Sequence, residues 1–268
     1  MLYLRILSAV IGIPLAALAV FAWNGVLLAP LVGLFALVGL HEFYAGARKL
    51  GARPHDWLGR VACVSLIAHA RIDPRLSDAP LLAVALALLL LIALTIELFR
   101  PDRAPIRNVG ATALGVLYVG WLFSYVVLLR SFGPWHLAVI LVGVWACDTG
   151  AYLTGKTIGR HKLAPSLSPA KTVEGLIGGI AASTAVALAT GGWLRSPVWA
   201  RAALGLTIGV FCVIGDLCES AMKREIGVKD FGSLIPGHGG VLDRFDGLLF
   251  AAPVVYYLGL FLILFRSS

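Results

Sequence analysis

Charged side chains are scarce in this chain of 268 residues. Asp, Glu, Lys and Arg make up 13% of the sequence, whereas hydrophobic residues make up 59% and the mean hydropathy is +0.90. A soluble domain carries about 25% charged residues, so the composition excludes a soluble globular enzyme. The apolar residues also come in blocks of ~20, which is the length of a helix that crosses the ~30 Å hydrocarbon layer of a membrane.

Cysteine is also sparse, and its four copies are not paired along the chain. They lie in or beside apolar runs, without the short paired spacing of a zinc site or a secreted disulfide framework, at Cys63, Cys147, Cys212 and Cys218. We therefore interpret them as buried free thiols. A small-residue cleavage site is lacking too, because Phe21-Ala22-Trp23 ends the first apolar run, so we expect a retained first span rather than a removed signal peptide.

Eight apolar runs and one shorter segment divide the chain. The runs do not alternate as barrel strands would, so they predict an all-α integral membrane protein. The runs lie near 6–23, 26–45, 81–98, 109–129, 136–153, 175–192, 202–218 and 247–265, and the shorter segment lies at 57–70.

The distribution of Lys and Arg indicates that segment 57–70 also spans. With nine spans and a cytoplasmic N-terminus, sixteen of the 22 Lys and Arg lie inside, whereas eight spans divide them evenly. Cytoplasmic loops carry the excess of positive charge. We therefore predict about nine transmembrane helices and an external C-terminus. Lys171 and Lys229 are then cytoplasmic, and Arg75, Arg195 and Ser268 are external.

We see neither an internal repeat nor a soluble module, so we predict a single membrane domain over 1–268. Within it, 1–130 forms the N-terminal helices and 136–268 forms the catalytic helices. Two long polar loops, 154–174 and 219–246, face the cytoplasm, where nucleotides and magnesium are available. We place the chemistry of the protein in these loops and the adjoining helix ends.

The loop 219–246 combines acidic residues, basic residues and glycine. The turn 236–240 contains three glycines, whose bare backbone amides can approach an anion closely. Asp243 and Asp246 would share one face of a helix that begins there. Together with Asp216, a costly carboxylate at the end of an apolar run, they offer the oxygen ligands that Mg²⁺ prefers. The combination indicates phosphoryl or nucleotidyl transfer.

Residues 220–246 resemble the signature of the CDP-diacylglycerol synthases, also called phosphatidate cytidylyltransferases. The segments 168–175 and 148–152 resemble two further motifs of that family, so the resemblance covers about 145–250. The matching signature positions are Ser220, Met222, Lys223, Arg224, Lys229, Asp230, Gly232, Ile235, Pro236, His238, Gly239, Gly240, Val241, Asp243, Arg244, Phe245 and Asp246.

The resemblance implies a reaction in which CTP and phosphatidate give CDP-diacylglycerol and pyrophosphate. It implies a magnesium-dependent enzyme of the bacterial inner membrane whose active site faces the cytoplasm. The implied metal ligands are Asp216, Asp243, Asp246 and Asp148. The implied side chains of the reaction are Lys171, Lys223, Arg224, His238 and Arg244, and the implied substrate contacts are Ser168, Lys171, Thr172, Gly239 and Gly240.

Several alternatives stay open at this point. His238 either bonds a phosphate oxygen or braces the glycine turn, and Lys171 either holds phosphate or lies at the lipid headgroups. The acceptor could be another lipid phosphate, and a transporter or a scaffold for anionic lipid would also suit a basic membrane protein. The sequence leaves open a second cation and a homodimer, and we expect no nucleic-acid partner.

One sequence match is misleading. Residues 150–157 fit the P-loop pattern Gly-x4-Gly-Lys-Thr letter for letter. A P-loop follows a buried strand and opens a helix, whereas this segment follows a membrane helix and runs towards Pro165 and Pro169. We therefore do not expect a P-loop.

Overall fold

The computed structural model describes residues 2–73, 79–194, 196–232 and 239–267, and most of them are helical. The N-terminal half contains six helices: α1 (Leu2–Phe21), α2 (Leu28–Lys49), α3 (Asp56–Ile72), α4 (Ala79–Leu98), α5 (Pro105–Gly115) and α6 (Leu122–Leu129). Five more follow: α7 (Pro134–Ile158), α8 (Val173–Ala189), α9 (Gly191–Leu194), α10 (Val198–Ile226) and α11 (Leu242–Ser267). The predicted all-α class is confirmed.

Five helical segments within the described residues are long and apolar enough to cross a membrane. They are Leu28–Lys49, Pro105–Phe132, Pro134–Ile158, Val198–Ile226 and Leu242–Leu262. Shorter apolar helices lie at Gly12–Gly25, Leu82–Leu98 and Val173–Ala189. The segment 57–70 is helical as well, because it lies within α3. The membrane architecture agrees with the sequence, while the count of nine spans and the orientation of the termini stay predictions.

The predicted run 109–129 forms one helical segment with a change of pitch. A π-helix over Val116–Trp121 joins α5 to α6, and a 3-10 turn over Arg130–Phe132 ends the segment. Helix α3 packs closely against the π-helix, since a Cβ at Gly120 would lie 3.0 Å from the Cα of Cys63.

The two polar loops contain more regular structure than the sequence predicted. Helix α7 continues to Ile158, and an antiparallel hairpin of β1 (Lys162–Ala164) and β2 (Ser168–Thr172) occupies most of the rest of loop 154–174. Helix α10 continues to Ile226 because the charged residues that end its apolar run are still good helix formers. Helix α11 begins at Leu242, which confirms the helix that we predicted to carry Asp243 and Asp246.

The segment that matches the P-loop pattern is part of a helix. Gly150 and Thr157 both lie within α7, where the backbone amides hydrogen-bond along the helix and cannot cradle a phosphate. The exclusion of a P-loop is therefore confirmed.

The chain divides into two compact units. The first unit comprises Met1–Ser131 and Ile226–Arg244, and the second comprises Phe132–Glu225 and Phe245–Ser268. Most of the signature segment thus packs with the N-terminal helices. That the whole chain forms one membrane domain stays a prediction.

Small residues bring α7 and α8 close together in the second unit. A Cβ at Gly150 would lie 2.7 Å from the Cβ of Ala182, and a Cβ at Gly179 would lie 2.9 Å from the carbonyl oxygen of Cys147. Such close approach is typical of membrane helices that pack through glycine and alanine. The packing fixes α8, and with it the hairpin that precedes α8.

Candidate active site

The second unit brings Lys171 and Asp216 into contact. Lys171 lies on β2, Asp216 lies on α10, and the Lys171 Nζ is 2.6 Å from the Asp216 Oδ2. Their side chains are 20% and 36% exposed, respectively. Lys171, predicted to hold phosphate, therefore pairs with Asp216, predicted to hold a metal. The Asp216 carboxylate thus lies where a cationic group contacts it.

Two further carboxylates of the second unit belong to the same region. Asp148 on α7 accepts a hydrogen bond from the Cys212 Sγ at 3.5 Å. The negative charges of Asp216 and Asp148 both act on Asp246, and Lys223 offsets them in part. Helices α7, α10 and α11 thus each contribute one carboxylate to a strongly negative region.

Lys223 and Arg224 lie on α10 and are both engaged within the second unit. The Lys223 Nζ is 2.7 Å from the Glu219 Oε1, and Glu219 is completely buried. The Arg224 Nε donates to the carbonyl oxygen of Leu167 at 3.0 Å, which ties the hairpin turn to α10. Glu219, the first residue of the predicted polar loop 219–246, is therefore a buried helical partner of Lys223.

Thr172 and Glu174 support the junction between the hairpin and α8. The Thr172 Oγ1 caps α8 by accepting from the Gly175 amide at 3.1 Å, and the Thr172 side chain is buried. The Glu174 carboxylate lies 2.6 Å from the His161 Nδ1 and accepts from the backbone amide of Arg160. These hydrogen bonds hold the pKa of the Glu174 carboxyl well below its usual range. Ser168 pairs with Ala164 in the hairpin ladder.

Asp243 binds two backbone amides of the signature segment within the first unit. Its Oδ2 accepts from the backbone amides of Gly240 at 2.8 Å and Phe231 at 3.0 Å. Gly239 has a φ of +85°, and a Cβ there would lie 2.9 Å from the same oxygen. Glycine is therefore required at this position by both conformation and space.

Two further predicted site residues are Arg244 and His238. Arg244 is exposed in the first turn of α11. His238 lies outside the described residues, as do Arg75, Arg195 and Ser268 from the topology prediction.

Sequence reasoning missed Glu42 as a partner of the signature segment within the first unit. Glu42 lies on α2, is 6% exposed, and accepts hydrogen bonds from the amides of Val241 and Leu242. Its only sequence signal is a carboxylate within an apolar run, which by itself indicates a functional or structural partner without naming it.

The donor chemistry of the second unit suits a magnesium ion. Among the described residues, no three His, Cys, Asp or Glu side chains are arranged as a metal cage. Magnesium, however, is commonly held by one or two carboxylates together with water and substrate phosphates. Asp216 already pairs with a cationic group, and the charges of Asp148 and Asp246 lie close by. The residues therefore fit the ion.

These features define a predominantly helical membrane protein in which carboxylates of three helices lie close to lysines of the hairpin and of α10. Such an arrangement handles phosphorylated, negatively charged substrates. A sequence profile of the Cytidylyltransferase family matches residues 3–262. The chain belongs to this family.

Individual relatives agree with the profile. A phosphatidate cytidylyltransferase of Synechocystis sp. is 37% identical over 94% of each chain. One of Bacillus subtilis is 41% identical over 63% of this chain and 64% of its own. One of Staphylococcus aureus is 40% identical over 61% and 64%, respectively. The similarity thus includes the N-terminal helices, in which we found no motif.

Proposed function

We propose that this protein transfers the cytidylyl group of CTP to phosphatidate, giving CDP-diacylglycerol and pyrophosphate. The observation that carries the proposal is the contact between Lys171 and Asp216 in a region that also holds Asp148 and Asp246. Cationic groups for phosphate and carboxylates for a metal are the requirements of nucleotidyl transfer. The names of the relatives support CTP and phosphatidate as the substrates.

The reaction needs little covalent help from the protein. A phosphate oxygen of phosphatidate attacks the α-phosphorus of CTP, the bond from that phosphorus to the bridging oxygen breaks, and pyrophosphate leaves. The nucleophile is already an anion, so a strong general base is not required. The main barrier is the repulsion between two anions, which positioning and positive charge reduce.

Magnesium would supply charge neutralisation at the phosphates of CTP. In the second unit, one or two of the carboxylates of Asp216, Asp148 and Asp246 would hold the ion, together with water and substrate phosphates. Lys171 would then exchange its contact with Asp216 for a substrate phosphate, while the bond from Arg224 to Leu167 keeps the hairpin of Lys171 in place. The assignment of Asp243 to the metal stays a prediction from the sequence.

We also propose the finer topology of nine spans with a cytoplasmic N-terminus and an external C-terminus. This topology places Lys171 and Lys229 on the cytoplasmic side of a bacterial inner membrane, where CTP is available. Its support is the excess of Lys and Arg in the loops that it assigns to the inside.

The proposal is tested with purified protein in detergent. The protein is incubated with phosphatidate, Mg²⁺ and CTP labelled at the α-phosphate, and we expect a labelled lipid and released pyrophosphate. Asp216→Asn should abolish most labelling, whereas Asp230→Asn, a change at an exposed carboxylate of the signature segment, serves as the matched control. Labelling of another lipid phosphate but not of phosphatidate would contradict the proposed acceptor. Release of pyrophosphate without a labelled lipid would contradict transfer itself.

A further inference from the structure

One face of helix α2 packs against described residues of the segment 226–244 within the first unit. Gly39, Glu42, Phe43 and Gly46 follow the spacing of one helical face. Gly39 lies against Leu242, and Gly46 lies against Ile226 and Phe231. The rings of Phe43 and Phe231 stack with centroids 6.4 Å apart and planes inclined by 27°.

Glu42 provides the polar contact at the centre of this face. Its Oε1 accepts from the Val241 amide at 3.0 Å, and its Oε2 accepts from the Leu242 amide at 3.1 Å. These amides lie at the start of α11, where backbone N–H groups lack partners within the helix. The positive end of the helix dipole also favours a carboxylate there. Both oxygens of a buried side chain thus hold one helix end.

Two glycines of the signature segment lie against the Glu42 carboxylate. A Cβ at Gly240 would lie 2.6 Å from both carboxylate oxygens, and a Cβ at Gly232 would also meet the carboxylate. Glycine at these two positions therefore leaves room for Glu42. The requirement links two signature residues to a side chain about 200 residues earlier in the chain.

The contacts of α2 continue to Asp243 through the backbone. Gly240, whose amide donates to the Asp243 Oδ2, is bonded directly to Val241, whose amide is held by Glu42. Phe231, whose amide donates to the same oxygen, stacks on Phe43. Helix α2 therefore contacts Phe231, one of these backbone donors, and holds Val241, the neighbour of the other donor, Gly240.

We propose that Glu42 is a positioning residue for cytidylyl transfer, which fixes the start of α11 and thereby the orientation of Asp243. The inference rests on the proposed function. It assigns a role to one of the N-terminal helices: α2 holds the start of α11 in its working geometry.

The main test is Glu42→Gln. The amide side chain keeps one oxygen but sets an NH₂ group against a backbone N–H donor, and it removes the negative charge from the helix end. A displacement of about 1 Å in a catalytic group can cost ~10²-fold in rate, so we expect kcat to fall by about 10- to 100-fold. The Mg²⁺ concentration for half-maximal activity should rise with it. Glu42→Asp keeps the charge on a shorter side chain and should recover part of both losses.

Glu97→Gln is the matched control. Glu97 is 2% exposed, belongs to the same unit, and accepts hydrogen bonds from the Asn108 side chain and the Ala104 amide. Among the described residues it has no bond to the segment 226–244. We expect this variant to be less stable but to show the kcat and magnesium dependence of the wild type in its folded fraction.

Hydrogen exchange without substrates provides a second readout. Peptides that cover 239–250 should exchange faster in Glu42→Gln and Glu42→Asp than in the wild type and Glu97→Gln. Wild-type exchange and kcat in both Glu42 variants would overturn the proposal, as would equal loss of kcat in Glu97→Gln. If Glu42→Gln does not fold, Glu42→Asp decides by the same measurements. If the wild type does not turn over phosphatidate, the proposed function fails, while the exchange result still tests the contact.

Discussion

Replacement by Met should lower mainly the activity at Lys171 and mainly the stability of the protein at Lys223. Both lysines are implied in phosphate binding, and both pair with a carboxylate, at 2.6 and 2.7 Å. The partners differ, because Asp216 is 36% exposed whereas Glu219 is completely buried. The comparison therefore separates a lysine that serves the reaction from one that serves the fold.

The expected magnitudes follow from this difference in burial. Asp216 is 36% exposed and stays accessible to solvent without its partner, so Lys171→Met should change the free energy of unfolding by about 1 kcal/mol or less. Lys223→Met leaves a buried carboxylate without its ammonium group, which costs about 3–5 kcal/mol. A protein is stable by only about 5–15 kcal/mol, so the second loss is severe. For activity, Lys171→Met should lose at least ~10²-fold in turnover, in line with the removal of one electrostatic stabiliser.

Two measurements on each variant decide the matter. Thermal unfolding is followed in detergent by the fraction that stays monodisperse, and turnover is measured with labelled CTP, phosphatidate and Mg²⁺ on the folded fraction. Lys223→Arg serves as the control, because it restores a cation beside Glu219 and should recover stability. The reasoning is refuted if Lys223→Met is as stable as the wild type, or if Lys171→Met loses stability to the same extent as Lys223→Met.

Three further predictions concern the site and the topology. Asp216→Asn and Asp243→Asn should each lower magnesium-dependent turnover by at least ~10²-fold in folded protein, whereas Asp230→Asn should cost far less; equal losses in all three variants would count against the metal assignment. Thr172→Ala should destabilise the protein by about 1–2 kcal/mol through loss of the α8 cap. Thr172→Ser should keep the cap, and a large change in the KM for CTP at unchanged stability would instead favour a substrate contact. Single cysteines at positions 171 and 229 should resist an impermeant reagent in intact cells, whereas a cysteine at position 75 should react; the opposite pattern would exclude nine spans.

The apolar runs predicted the helices well because a membrane helix requires a long run of apolar residues, which is visible in the sequence. The hairpin of β1 and β2 was not predicted, since its strands are short, polar and interrupted by Pro169. Helix α10 was predicted to end too early, because Glu219 and Lys223 were interpreted as loop charges although their spacing is that of a helical ion pair. Charged residues mark the end of the apolar span, but helix α10 continues through them to Ile226.

Sequence reasoning selects side chains by residue type and does not reveal contacts made by the backbone. Lys171 and Asp216 were selected because their residue types suit phosphate and metal, and the structure brings them into contact, while their roles stay predictions. Glu42 was not found because its partners are backbone amides 199 and 200 residues away. Every residue except proline has such an amide, so the residue type does not reveal the contact. The Thr172 hydroxyl caps α8, a use that the sequence does not distinguish from phosphate binding, and its assignment to substrate stays a prediction.

The glycine contacts between α7 and α8 affect how this enzyme responds to its lipid surroundings. A helix in a bilayer of the wrong thickness adapts by tilting or by sliding past its neighbours. Gly150 and Gly179 seat α7 against the surface of α8 so closely that sliding would drive backbone into backbone. The two helices must therefore tilt as a pair, and the hairpin that carries Lys171 moves with them. Changes in membrane thickness should thus leave the internal geometry of this pair intact.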